Sequence, residues 1–184
     1  MARLKTQKSF SIAIGLLLCL TLVVSGGYYK MTHQGEILMT AASRPLPEGT
    51  ILDGEVPLAG DVPNTSSMEY QIYALVNSQR VAAGLAEVVW SNILTDDAKI
   101  RANEASVKWS HTRPNGSAWW TVDDDYMYGE NLAKGYSSAD AVVTAWMNSP
   151  SHKANLLDAG FKTMGISTYT DAQGTVYIAQ EFGY

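Results

Sequence analysis

KTMGISTYT-DAQG-TVYIAQEF, residues 162–182, decides the architecture. Two runs rich in β-branched and aromatic residues, Lys162–Thr170 and Thr175–Phe182, flank the turn Asp171-Ala172-Gln173-Gly174. Such side chains suit a pleated, half-buried surface, and a short polar turn with glycine joins them as a hairpin. Upstream, the apolar spacing is helical. Helices first and a hairpin last predict an α+β layered domain.

Working back from the hairpin, Pro150 ends a helix that begins at Ser137 or Ser138 and buries Ala141, Val142, Ala145 and Trp146. Ser151 caps a short fourth helix running to Leu157. Residues 112–128 have no period and hold the turn Pro114-Asn115-Gly116-Ser117. Asp123-Asp124-Asp125 lacks the glycine and final glutamate of a calcium loop and is expected to be a solvated acidic run. Trp119 and Trp120 cannot both face inward from an extended segment, so one is expected at the surface, with lid packing as the competitor. A helix from Ser91 or Thr95 to Trp109 turns Leu94, Ala98, Ala102 and Ala105 inward. The first helix opens on the capping-box pattern of Ser66 and Glu69, and Gly84 stops it.

Ahead of the domain, at 68–184, residues 27–67 are broken by Pro45, Pro47, Pro57 and Pro63 and are expected as a linker or stalk, with a short strand at 55–58. Residues 1–26 place Arg3, Lys5 and Lys8 before the apolar run Phe10–Val24 and end on Ser25-Gly26. That pattern is a signal sequence, with an uncleaved N-terminal anchor as the alternative, so the protein is expected to be secreted or at the cell surface. The sole cysteine, Cys19, lies in this run. Disulfides, a thiolate nucleophile and cysteine-based zinc are thereby excluded from the domain. A net charge of -5 argues against nucleic acid as a partner.

The chemistry-bearing residues are few. His111 sits in Ser110-His111-Thr112-Arg113-Pro114, Glu130 in Gly129-Glu130-Asn131, and His152 in Ser149-Pro150-Ser151-His152. All three are expected on turns or helix ends, where two imidazoles and a carboxylate suit a divalent metal or acid–base work. With two firm nitrogen ligands, zinc or another divalent cation would be held weakly, and Glu130 would orient an imidazole. Arg113 is a candidate clamp for an anionic ligand, with an ion pair to Glu104 as the plainer alternative. Asn131 and Ser149 complete the candidate cleft. A serine hydrolase using Ser149 or Ser151 ranks lower, since neither lies in a nucleophile elbow. Glycosidase chemistry needs two opposed carboxylates and finds one.

Leu75-Val76-Asn77 with Arg80, Trp90, Ser110-His111-Thr112-Arg113-Pro114, Gly129-Glu130-Asn131-Leu132-Ala133, Trp146 with Ser149–Leu157, Met164-Gly165 and Gln180-Glu181-Phe182-Gly183 occur in this order. On them, residues 69–184 resemble the CAP superfamily (the SCP domain of cysteine-rich secretory proteins, antigen 5 and pathogenesis-related proteins), in its bacterial, disulfide-free branch. The resemblance implies an α-β-α sandwich with a cleft of two histidines and two acids. His111, Glu130 and His152 match three of these. The fourth position falls in Met147-Asn148-Ser149, which offers no carboxylate, and Glu181 is not assigned in its place. The expectation is an extracellular binding module for a lipid, glycan or peptide. The alternative is a metal-dependent hydrolase of peptides, esters or phosphodiesters, with Glu130 as base.

Overall fold

The computed structural model of the protein describes residues 35–38, 40–46 and 64–184. The expected signal sequence at 1–26 and the strand expected at 55–58 lie outside them. Among the described residues no helix is long and apolar enough to cross a membrane.

The hairpin forms as the sequence dictates. Strand β5, Thr163–Thr170, and strand β6, Val176–Gly183, pair antiparallel from Thr163 opposite Gly183 to Thr170 opposite Val176. On the far side of β5, the two-residue β3, Val89–Trp90, pairs in parallel. On the far side of β6 lies β4, Gly129–Lys134, antiparallel and buried along its first five residues. With β1, Glu36–Ile37, at the outer edge, the sheet order is β1-β4-β6-β5-β3.

β4 corrects the expectation of a turn around Glu130. The glycine of Gly129-Glu130-Asn131 serves a close approach here. A Cβ at residue 129 would sit 2.8 Å from the Phe161 ring. Only a strand without a side chain at that point can pass beneath the ring.

The sheet is covered on both faces. Helix α1, Met68–Ala82, packs with α3, Ala139–Met147, and α4, Pro150–Leu156, over one face. Their core holds Ile72, Trp90, Val142, Trp146, Phe161, Ile178 and Phe182. Helix α2, Asn92–Val107, lies on β5 and β6 at the other face. Its alanines 98, 102 and 105 meet Leu132 and Ala179. It comes so close that a Cβ at Gly165 would stand 2.2 Å from the Leu94 carbonyl carbon. The result is the expected α-β-α sandwich.

Two caps differ from expectation. Ser67, not Ser66, caps α1 by accepting from Tyr70 N–H, while Glu69 accepts from Thr168 on the sheet. Pro150 begins α4 rather than merely ending α3, because proline's fixed φ suits a first helical position. That makes Ser149 the N-cap residue and frees Ser151 for another contact. Trp119 is buried with Leu94 and Met127, and Trp120 packs against it edge-to-face, half-buried, in a 3-10 turn.

The stretch expected as a linker also contributes structure. β1, Glu36–Ile37, and β2, Ala42–Ser43, both pair antiparallel with β4 along its outer edge. Residues 35–38 and 40–46 thus run as a strap beside β4. The register slips by two residues between them, from Ile37 opposite Ala133 to Ala42 opposite Glu130, so the strap bulges at its middle.

Candidate functional site

Leu132 on β4 and Ala179 on β6 both face α2, so strand alternation puts Glu130 and Glu181 on that face too. The two glutamates are direct neighbours across the ladder, and both are 0% exposed. Arg101 enters from α2, also 0% exposed. Its Nε donates to Glu130 Oε2 at 2.6 Å and its Nη2 to Glu130 Oε1 at 3.3 Å. The remaining donors go to Glu104 Oε2 at 2.6 Å and to the Ser110 carbonyl at 2.9 Å. Burial alone would push the guanidinium down, but the charge of Glu130 outweighs it and holds Arg101 above its ordinary range.

The last of these contacts fixes the chain just before His111. The His111 ring then reaches Glu130 Oε1 through Nδ1 at 2.5 Å and the Thr40 carbonyl of the strap through Nε2 at 2.6 Å. Carboxylate and carbonyl both only accept. His111 serves both only with a hydrogen on each ring nitrogen.

His152 comes from α4 and is 0% exposed. Its Nδ1 pairs with Ser149 Oγ at 2.8 Å, while its Nε2 is buried with no partner. Burial, with His111 nearby, lowers its pKa to about 4, so the ring is neutral near pH 7. The fold thus brings His111 and Glu130 into contact, with His152 near enough to be influenced by His111. Among the described residues, the group of three or more imidazoles and carboxylates with ligand atoms within 4.8 Å of one another is Asp123–Asp125, largely exposed.

The other candidates have partners. Arg113 Nη2 lies 2.9 Å from Glu104 Oε1, which is the ion pair named as its alternative. Asn131 faces the opposite side of β4, where it donates to Gln180 Oε1 at 2.9 Å and accepts from Asn155 at 3.2 Å. Ser149 holds the His152 ring.

The family model for the cysteine-rich secretory protein (CAP) family matches residues 73–182, more than half of the chain. The chain belongs to the CAP family. It is 27% identical over 127 residues to the uncharacterized protein YkwD of Bacillus subtilis, and the match covers 65% of this chain and 49% of that relative's length. Among solved structures it is similar to an outer surface protein of Borrelia burgdorferi, with a TM-score of 0.57 and 24% identity over 65% of this chain and 94% of that one. An extracellular SCP-domain protein of Bacillus anthracis gives a TM-score of 0.55 and 24% identity over 63% of this chain and 40% of that one. At these identities the structural likeness speaks for the fold alone.

Of the residues that build this CAP site, Arg101 escaped the sequence, while Glu104 was named there only as a partner for Arg113 and Glu181 was left unassigned. A signal for Arg101 was present. Asp97 and Arg101 fall on the same helical stripe as Leu94, Ala98, Ala102 and Ala105, and charges on a buried stripe need partners. Glu181 differs from Glu130 in lacking them, for neither of its oxygens has a hydrogen-bond partner. Burial first, and then the charge of Glu130, hold its carboxyl well above the usual range. This CAP cleft therefore contains one carboxyl group engaged through both oxygens, Glu130, and one that favours its neutral form, Glu181.

Proposed function

We propose that the protein is an extracellular CAP-domain binding module whose cleft, between His111 and His152, takes its ligand with the help of a weakly held divalent cation. The observation that carries this is His152 Nε2: a neutral, buried imidazole nitrogen with no partner, beside a second histidine oriented by a carboxylate. The donor set suits zinc, since neutral imidazole is a common zinc ligand and a carboxylate behind it strengthens it. His111 Nε2 and His152 Nε2 would hold the ion, and a bound ion would supply Lewis acidity toward a ligand oxygen. The fit has a condition: Thr40 must first leave His111 Nε2.

Binding is favoured over hydrolysis by the state of Glu130. Both its oxygens are committed, to Arg101 and to His111, which makes it a poor acceptor for a proton from water. The extracellular placement rests on the signal-like residues 1–26 and on relatives described as extracellular or outer surface proteins.

The test is a calorimetric zinc titration of the full chain against His152→Ala and His111→Ala. Weak binding reversed by chelator, and lost in both variants, is expected. Zinc-dependent turnover of peptide, ester or phosphodiester that vanishes in the same variants would replace the binding module by the hydrolase.

A further inference from the structure

The strap is where the cleft already holds something. Thr40 offers its carbonyl to His111 Nε2, and Ala41 N–H donates to Ser151 Oγ at 3.0 Å. The Ala42 carbonyl accepts from Asn155 Nδ2 at 2.9 Å. Three consecutive residues are gripped by three side chains of the cleft, and every grip is on the main chain. To either side, Leu38 N–H donates to the Leu132 carbonyl and Arg44 N–H to that of Tyr128, as a strand added to the edge of β4 would. The bulge between β1 and β2 lifts residues 40 and 41 off the ladder and toward His111 and Ser151.

We propose that the ligand of this cleft is an extended polypeptide, which adds to the β4 edge in place of the strap, so that residues 35–46 act as an exchangeable internal occupant. This rests on the binding-module reading and names its ligand class. At residues 40–42 the cleft reads only main-chain groups, which selects for extended backbone there, while side chains are bound at the two ends: Glu36 accepts from Trp109 at 3.0 Å, and Arg44 Nε donates to the Met127 carbonyl at 2.8 Å. A lipid tail offers none of the alternating donors and acceptors that Ser151, His111 and Asn155 meet.

Several features make the strap displaceable. None of its described residues is buried, whereas five of the six in β4 are. Among its described residues the ion pair is Glu36 with Lys134 at 3.2 Å, and it lies at the surface. It lies outside residues 73–182, which match the family. Elements with few buried contacts open at low free energy. Release has a second consequence. With Thr40 gone, His111 Nε2 no longer faces a carbonyl and can present a lone pair, so strap and metal exclude each other.

The experiment uses the full chain and a fluorescein-labelled peptide of residues 35–46, GEILMTAASRPL, with zinc and with EDTA. Ala41→Pro/Arg44→Pro removes two N–H groups the strap donates, without touching the cleft side chains. The variant should bind the peptide at least about tenfold more tightly than wild type, because an internal occupant lowers apparent affinity by the fraction of time it fills the site. Adding Ser151→Ala should weaken that binding several-fold. A folded variant that ignores the peptide yet binds zinc overturns the inference and leaves the metal cleft standing. Peptide binding in EDTA with no zinc uptake supports the inference and removes the metal. Hydrogen exchange on wild type gives an independent check: the amides of Leu38, Ala41 and Arg44 should exchange far faster than those of β6. Equal protection would make the strap a permanent strand and end the proposal, whether or not the proline variant folds.

Discussion

The two faces of the sheet are held by different physics. Toward α1, α3 and α4 the sheet meets Ile72, Trp90, Trp146, Phe161 and Phe182, and burial of large apolar groups does the work. Toward α2 the apolar contacts are mostly alanines, and among them sit Asp97, Arg101, Glu130 and Glu181, all at most 7% exposed. Small residues let helix and sheet approach closely, and of the four buried ionisable groups Arg101 and Glu130 are held by each other while Asp97 and Glu181 keep oxygens without a partner. Folding strength is concentrated on the first face and chemistry on the second.

The largest effects should come from one residue on each face, and a cycle tells them apart. Trp146→Ala should destabilise by about 3–5 kcal/mol through lost burial and a cavity. Arg101→Leu should destabilise by about 3–5 kcal/mol as well, because it takes the guanidinium from the buried Glu130 and leaves His111 as the remaining partner of that carboxylate. In urea denaturation, pairing Arg101→Leu with Glu130→Gln should recover part of that loss, while Trp146→Ala with Glu130→Gln should be additive. Additivity in both cycles would mean that Glu130 and Arg101 are not an energetic unit, and the contrast between the faces would fail.

Asp97 makes the α2 face sensitive to pH. Burial, followed by the charges of Asp123 and Asp96, raises its pKa from 3.8 to about 7, and Oδ2 has no hydrogen-bond partner. The native protein then keeps a proton that the unfolded chain has shed, so stability falls as pH rises from about 4 to about 7. A ceiling on the order of 4 kcal/mol follows from about 1.36 kcal/mol per unit. Asp97→Asn should remove that slope and be more stable than wild type at pH 8. His152 contributes the opposite slope, since its pKa is lowered from 6.5 to about 4 and stability from it is lost as pH falls through that window. Both proteins carry His152, so it cancels in the difference between their denaturation curves. Identical curves would show Asp97 ionised in the native state.

How far the sequence carries follows from the same division. The apolar face is written in periodicity: Trp146, Val142 and the β5–β6 hairpin could be placed from spacing, because burial by hydrophobicity leaves a pattern. β4 could not. Gly129-Glu130-Asn131 is too polar to look like a central strand, since its carboxylate and amide are satisfied by Arg101 and Gln180, which lie 29 and 49 residues away. His111, Glu130 and His152 were legible as candidates because they are the domain's histidines and an acid in a marked setting. The partners that define their chemistry were not. Glu181 reads as one more polar position in a hairpin until the ladder sets it opposite Glu130. The strap reads as linker for a related reason: prolines and small residues hide a segment whose pairing with β4 and with the cleft is made by its backbone, and backbone leaves no trace in composition.

The smallest expected effect is the sharpest test of the α2 face. If Glu181 holds its proton at pH 7, then Glu181→Gln replaces one neutral group by another of the same shape, and the new amide can donate to Glu130. Stability at pH 7 should change by no more than about 1 kcal/mol. The sign of the pH dependence follows from the raised pKa: the native state keeps the proton longer than the unfolded chain, so wild type loses stability as pH climbs above the ordinary glutamate range, and Glu181→Gln does not. Relative to wild type the variant should therefore gain as the solution becomes alkaline. Glu130→Gln has no such licence, because it withdraws the charge that Arg101 is buried against and should cost several times more, about 3 kcal/mol or above. Equal losses for the two glutamines would mean that both carboxyls are ionised around a single guanidinium. Two buried carboxylates would then lean on Arg101 and on the His111 N–H together, and His111→Ala would cost stability as well as metal.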